Sequence, residues 1–267
     1  MNDYYAETNK STIYGPVKSW RFGMSLGVDP IFETSTCSFN CVYCQLGNIQ
    51  KITREVKEYV KTQRVVEDFD HFLQQGEDFD VLTFSGSGEP TLAANLGEMA
   101  QELKSRCQNR PCHILTNATE MELPGVIENL KSFDKITAKL DAGSEESFNR
   151  VNRPATGVSF QSTVKGIQIL MDKFGDKVEI QSMFMPVNAK EVDQYIDVMK
   201  QIQPHVIQLN TPKRPYPSVW ARENRGNHKL IFNYPTTDLK KVDQDFATQL
   251  EQRLVAEVGC EIVSVYR

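Results

Sequence analysis

From about residue 78 onward, short β-prone apolar runs take turns with longer stretches whose apolar positions recur at helical spacing. The short runs are VLTFS from Val81, HILTN from His113, KITAKL from Lys135, VEIQSMFM from Val178 and VIQLN from Val206. A further strand is predicted near Pro30 to Thr34. Helices are predicted over Asn95 to Cys107, Leu123 to Leu130, Glu145 to Val151, Ser159 to Phe174 and Ala189 to Gln201, several of them opening on capping residues. Strand and helix in strict alternation read as βα units on a parallel sheet. Six such strands predict an α/β fold, a partial (βα)6 TIM-like barrel that stops short of eight units.

The pattern predicts a single domain over 1–267. Its core spans about 28–212, with an N-terminal extension at 1–27 and an appendix at 213–267 that is helical from Thr237 to Val258 and strand-like thereafter. In barrels of this kind function gathers at the carboxyl ends of the strands. The residues there are unusual ones: Ser85-Gly-Ser-Gly-Glu-Pro90, Asn117, Asp141, Met185-Pro186 and Asn210-Thr-Pro.

A formal charge of −5 over 267 residues supplies no global attraction to nucleic acid or anionic membrane. No apolar run approaches the ~18 residues of a membrane span, and the polar first residues carry no signal-peptide core, so a cytoplasmic chain with no membrane partner is expected. Six cysteines in such a setting point to metal or redox work rather than to a disulfide framework.

Three of those cysteines stand together, in Cys37-Ser-Phe-Asn-Cys41-Val-Tyr-Cys44, a C-x3-C-x2-C loop tight enough to wrap one inorganic cluster. Iron–sulfur clusters usually take four thiolates, so three imply either one open iron or a fourth ligand elsewhere. Zinc is the competing reading, completed by Cys107, Cys112 or His71, and unligated core thiols are a third. After the Val81 run, the small residues of Ser-Gly-Ser-Gly-Glu-Pro let backbone approach a ligand, and Glu89 can accept a hydrogen bond from an ammonium; a tight strand-to-helix turn is the plainer alternative. Asn117 and Asp141 suit ligand hydroxyls or helix caps, and Arg153 suits a carboxylate or a surface ion pair. Lys139 shares a strand face with Asp141 and could activate a carbonyl, hold an acidic substrate, or simply pair with Glu89 or Asp141. Lys213, Arg214 and Tyr216 could meet an anionic substrate or remain solvated.

Taken together these segments resemble the radical S-adenosylmethionine (SAM) superfamily, within the group related to wyosine-base (imidazoguanosine) tRNA synthesis enzymes. The likeness spans most of the chain. It rests on Tyr14 to Val28, Cys-Val-Tyr-Cys-Gln-Leu-Gly at 41–47, Phe-Ser-Gly-Ser-Gly-Glu-Pro-Thr-Leu at 84–92, Leu-Asp-Ala-Gly at 140–143, Asn-Arg-Pro at 152–154 and Gln-Leu-Asn-Thr-Pro at 208–212. The resemblance implies one [4Fe–4S] cluster held by Cys37, Cys41 and Cys44, with SAM as cosubstrate. It makes Tyr43 an adenine neighbour and Ser87-Gly88-Glu89 the methionine-binding edge, with Asn117, Asp141 and Arg153 as further cosubstrate contacts.

The implied reaction is reductive cleavage of SAM to a 5′-deoxyadenosyl radical that abstracts hydrogen from a substrate. A tRNA base stands first by resemblance; a peptide or small metabolite is the alternative, and a non-catalytic iron–sulfur electron carrier is the rival from another class. The chain departs from the wyosine enzymes in having no cysteine before Cys37, where their second cluster is held. Cys107, Cys112 and Cys260 are expected to be ordinary buried thiols. No electron-delivering domain is present in the sequence, so an external donor, flavodoxin or ferredoxin, is implied.

Overall fold

The computed structural model describes residues 11–108, 110–213, 215–227 and 234–266. Its strands, in chain order, are β1 (Ile13–Ser19), β2 (Gly23–Val28), β3 (Thr36–Cys37), β4 (Lys51–Ile52), β5 (Val81–Phe84), β6 (Cys112–Thr116), β7 (Lys135–Lys139), β8 (Val178–Met183), β9 (Val206–Asn210), β10 (Tyr216–Pro217), β11 (Thr236–Thr237) and β12 (Glu261–Ser264). The α-helices are α1 (Thr62–Gln74), α2 (Leu96–Arg106), α3 (Pro124–Leu130), α4 (Glu145–Val151), α5 (Phe160–Phe174), α6 (Val192–Ile202) and α7 (Gln244–Val258). One 8-stranded sheet runs in the order β1-β2-β5-β6-β7-β8-β9-β12. β1 is antiparallel to β2, and every later neighbour pair is parallel. The sheet curls into an open half-barrel, and the carboxyl ends of its parallel strands share one rim.

Alternation along each strand sorts the side chains. Leu82 and Phe84, Ile114, Ile136 and Ala138, Ile180, and Ile207 and Leu209 turn outward into one apolar core with Phe69 of α1, Met99 of α2, Ile167 of α5 and Ile196 of α6. The opposite parity is largely polar: Thr83, Ser85, Lys139 and Gln181 line an interior cavity. A parallel sheet is normally apolar on both faces. Here the concave face is instead built to meet a ligand or water.

The six parallel strands of the predicted barrel are present, but the first stands elsewhere. Pro30 to Thr34 form no strand, because Asp29 Oδ1 accepts the backbone N–H of Ile31 (3.1 Å) and of Phe32 (2.9 Å) and folds the chain into a turn. Phe32 takes φ 62° there. β2, Gly-Met-Ser-Leu-Gly-Val, holds that place in the sheet; its two glycines give it little strand propensity. Helix α1 lies ahead of the alternating region and was not expected. The C-terminal helix begins at Gln244 rather than Thr237, where Asp243 accepts Phe246 N–H at 2.8 Å. The strand after it joins β9 as a sheet edge. Among the described residues no helix is long and apolar enough to cross a membrane.

Candidate functional site

Between β2 and α1 the chain crosses the barrel rim as an extended loop held by backbone hydrogen bonds to the glycine-rich turn after β5. Thr36 N–H donates to Ser87 O (3.1 Å), and Glu89 N–H donates to Thr36 O (3.0 Å). Cys37 follows directly, on β3. Cys41 and Cys44 stand on the next turn, which is fastened to the end of α4 by Val42 N–H donating to Val151 O at 2.9 Å. The opposite side of the loop is covered by the segment after β9. Ala221 N–H donates to Leu46 O (2.9 Å), Asn224 Nδ2 to Gln45 O (2.8 Å) and Tyr216 Oη to Asn48 Oδ1 (2.8 Å).

The three loop thiols line a cavity of about 600 Å³ in the barrel mouth, together with Tyr43, Gly88, Glu89, Asn117 and Lys139. All six cysteines are unpaired. Burial pushes the loop thiols up: Cys37 well above its ordinary value, with the nearby Glu89 adding to the effect, Cys41 to about 12 with Asp141 adding, and Cys44 upward by burial. Among the described residues no three Cys, His, Asp or Glu side chains converge closely enough to hold a single metal ion. A cubane binds its thiolates at separate corners, and the three thiols line one cavity.

The residues expected around the thiols divide into three groups. The Glu89 carboxylate is buried and accepts four hydrogen bonds. Oε1 receives Thr91 N–H (3.1 Å), Thr91 Oγ1 (2.7 Å) and Thr116 Oγ1 (2.6 Å), while Oε2 receives, among the described residues, Asn117 N–H (2.8 Å). Glu89 lines the cavity, and Oε2, with one partner among the described residues, keeps acceptor capacity, while burial raises the carboxyl's pKa. Asn117 turns to the cysteine loop, its Nδ2 donating to Ser38 Oγ (2.7 Å) and approaching Cys37 Sγ (3.6 Å).

A second group supports the wall from behind. Asp141 is buried and collects the Tyr43 hydroxyl, Asn152 Nδ2 (2.9 Å), Met183 N–H (2.7 Å) and the Lys139 ammonium (3.0 Å). The same Asn152 amide reaches Cys41 Sγ at 3.4 Å. Lys139 also lies 5.0 Å from the Tyr43 ring centre, so of the partners considered for it the structure supplies Asp141. The Ser87 hydroxyl points away from the cavity and donates to Asp29 Oδ2 at 2.5 Å.

Arg153 forms the third group by itself. It is exposed, adopts φ 47°, and is not among the residues that line the cavity. Lys213 does line it, whereas Arg214 lies outside the described residues. Cys107 and Cys112 sit in the helix-side core with Cys260, away from the cavity. Sequence reasoning missed the buried Arg225–Asp29 pair (2.7 Å), which ties the covering segment to the Ser87 turn. No local pattern announces a partner 196 residues away. Asn152 had a visible signal, since it opens the Asn-Arg-Pro motif.

Comparison with known proteins agrees with this geometry. The family model of the radical SAM superfamily matches residues 32–199. A UPF0026 protein of Synechocystis is 37% identical over 96% of this chain and 96% of its own length. An S-adenosyl-L-methionine-dependent tRNA 4-demethylwyosine synthase of Oryza sativa is 27% identical over 65% of this chain, which covers 25% of that larger protein. Among solved structures, TYW1 with a lysine–pyruvate adduct bound shares the fold with a TM-score of 0.59 at 15% identity, over 96% of this chain and 78% of that one.

Proposed function

The chain belongs to the radical SAM superfamily, in a group related to the tRNA wyosine enzymes, and from that premise we propose that Cys37, Cys41 and Cys44 hold a [4Fe–4S] cluster with one iron open to SAM. When bound, the cluster supplies the electron that splits SAM into methionine and a 5′-deoxyadenosyl radical, which takes hydrogen from a substrate. The observation that carries this reading is that three unpaired thiols and the Glu89 carboxylate line the same cavity.

Each residue's part follows from its surroundings. Glu89 accepts the cosubstrate's ammonium, and the backbone at Gly88 gives that edge its flatness. Tyr43, pinned by Asp141, offers its ring to the adenine. Asn117 and Asn152 donate to the thiolate sulfurs of Cys37 and Cys41, which steadies negative charge there. Asp141 and Ser87 act from behind the wall as positioning residues, and Lys139 presents a half-buried cation to the substrate side.

The likeness to the rice enzyme supports a tRNA base as the group acted upon, although no cysteine precedes Cys37 to hold a second cluster. We read the chain, 1–267, as one domain, a reading supported by the single sheet that runs from β1 to β12. The thiols are kept free in the cytoplasm, and an external flavodoxin or ferredoxin delivers the electron. Anaerobic reconstitution tests the reading: about four irons and four sulfides per chain are expected, and zinc uptake without a visible cluster absorbance contradicts it.

A further inference from the structure

The segment Tyr14 to Val28 carries part of the family likeness yet has no part in the chemistry above. It folds as the β1–β2 hairpin, with Arg21 at its tip. Because β2 is parallel to β5, this tip lies at the barrel end opposite the cysteine loop. From there Arg21 reaches back inside: its Nη1 donates to Gln208 Oε1 at 2.8 Å, which also receives Gln181 Nε2 at 3.2 Å. Lys139, Gln181 and Gln208 are direct neighbours across β7, β8 and β9, so they form one row. The row stands roughly 7 Å, two strand residues, below the rim that carries Asp141 and Asn210. Arg21 and the three loop cysteines line the same cavity.

The Arg21 guanidinium is unlike the buried Arg225 and the half-buried Lys139 and Lys135. Arg225 is paired with Asp29, Lys139 with Asp141 and Lys135 with Glu179, whereas Arg21 has no carboxylate partner among the described residues. Glu179 is near, but its oxygens already receive Lys135 and the Gln208 amide. Arg21 is held by Gln208 and the rings of Trp20 (5.4 Å) and Phe22 (4.8 Å), and its Nε is buried with no hydrogen-bond partner among the described residues. Burial pulls its pKa down to about 10, as expected of a charge without full compensation. Buried atoms nearby on the concave face, His113 Nδ1 and Thr137 Oγ1, also lack partners among the described residues. A fork of N–H donors with unused capacity matches the oxygens of a carboxylate or phosphate.

We propose that Arg21 anchors the carboxylate or phosphate of a small reactant on the cavity floor, with the rest of that molecule extending toward the cysteine loop. The cavity, about 600 Å³, is of the size that takes small molecules. The inference rests on the proposed function in naming that molecule a reactant.

Calorimetric titration of the reconstituted protein, with SAM present and ionic strength fixed, tests it. The probes are inorganic phosphate, succinate and the uncharged succinamide. At least one anion binds saturably and succinamide does not; a preference for phosphate or for succinate tells which oxyanion the site is made for. Arg21→Gln weakens that anion at least tenfold, and Arg21→Lys, which keeps the charge but not the fork, severalfold. Absence of saturable anion binding, or equal affinity in both variants and wild type, overturns the proposal. If Arg21→Gln fails to fold, Arg21→Lys alone decides between these outcomes. The cluster's spectral response to SAM, read on the same samples, separates the two claims. Anion binding without that response overturns the radical reading alone, and the response without anion binding overturns the anchor alone.

Discussion

Gly88 lies directly against the backbone of Thr36: a methyl group on its Cα would stand 1.7 Å from the Thr36 carbonyl oxygen. The glycine is therefore what lets the cysteine loop dock on the turn after β5. Gly88→Ala must push the two apart and break the pair of backbone hydrogen bonds that places Cys37. Iron and sulfide per chain should fall severalfold after identical reconstitution. Gly125→Ala, with nothing within 4 Å of the new methyl, should match wild type. Equal iron in Gly88→Ala and wild type would contradict the docking argument.

Asp141 gathers four donors at a buried position, among them the Lys139 ammonium. Asp141→Ala leaves a cation unpaired in the interior and should cost roughly 3–5 kcal/mol in urea unfolding. Lys139→Met in the same background should recover a large part of the loss, since it removes the stranded charge. A double variant as unstable as Asp141→Ala would show that the hydroxyl and amide partners, not the ion pair, carry the effect.

The parts of this site legible in the sequence are those whose chemistry is local. Cys37, Cys41 and Cys44 lie within eight residues, and the strand ends could be placed because β-prone runs and helical spacing alternate so regularly. Two glycines in β2 erased its strand signal, and the turn made by Asp29 was mistaken for the strand. Ser87 was expected at the cosubstrate, but the Asp29 carboxylate that claims its hydroxyl lies 58 residues away. Such long-range pairings decide which way a side chain points, and no spacing along the chain records them.

The raised thiol pKa values give the metal-free protein an alkaline weakness. Burial favours the neutral thiol of Cys41, whose pKa rises from 9.0 to about 12 on folding. The stabilisation is complete below about pH 9 and is lost as pH rises toward 12, by at most about 1.4 kcal/mol per pH unit for this group. The stability advantage of metal-free wild type over Cys41→Ser should therefore shrink across that interval in urea titrations. An advantage constant with pH would mean that the folded thiol titrates as it does in the unfolded chain.

Glu89 separates cosubstrate binding from cluster assembly. Glu89→Gln keeps the shape that Thr91, Thr116 and Asn117 hold, and removes the charge. The cluster should assemble normally while SAM affinity falls about ten- to a hundredfold, the worth of roughly 1.5–3 kcal/mol for a charge-assisted hydrogen bond. Equilibrium dialysis of labelled SAM measures it. Unchanged affinity with full iron content would remove Glu89 from the cosubstrate's contacts.

The central claim is that three thiolates leave one iron open and that SAM binds there. It is tested most directly by the electron paramagnetic resonance spectrum of the dithionite-reduced, fully reconstituted protein as SAM is titrated in. A saturable change in the cluster signal is predicted for wild type, with no cluster signal at all from Cys37→Ala, Cys41→Ala or Cys44→Ala. A full complement of iron and sulfide whose spectrum does not move at saturating SAM would contradict the account.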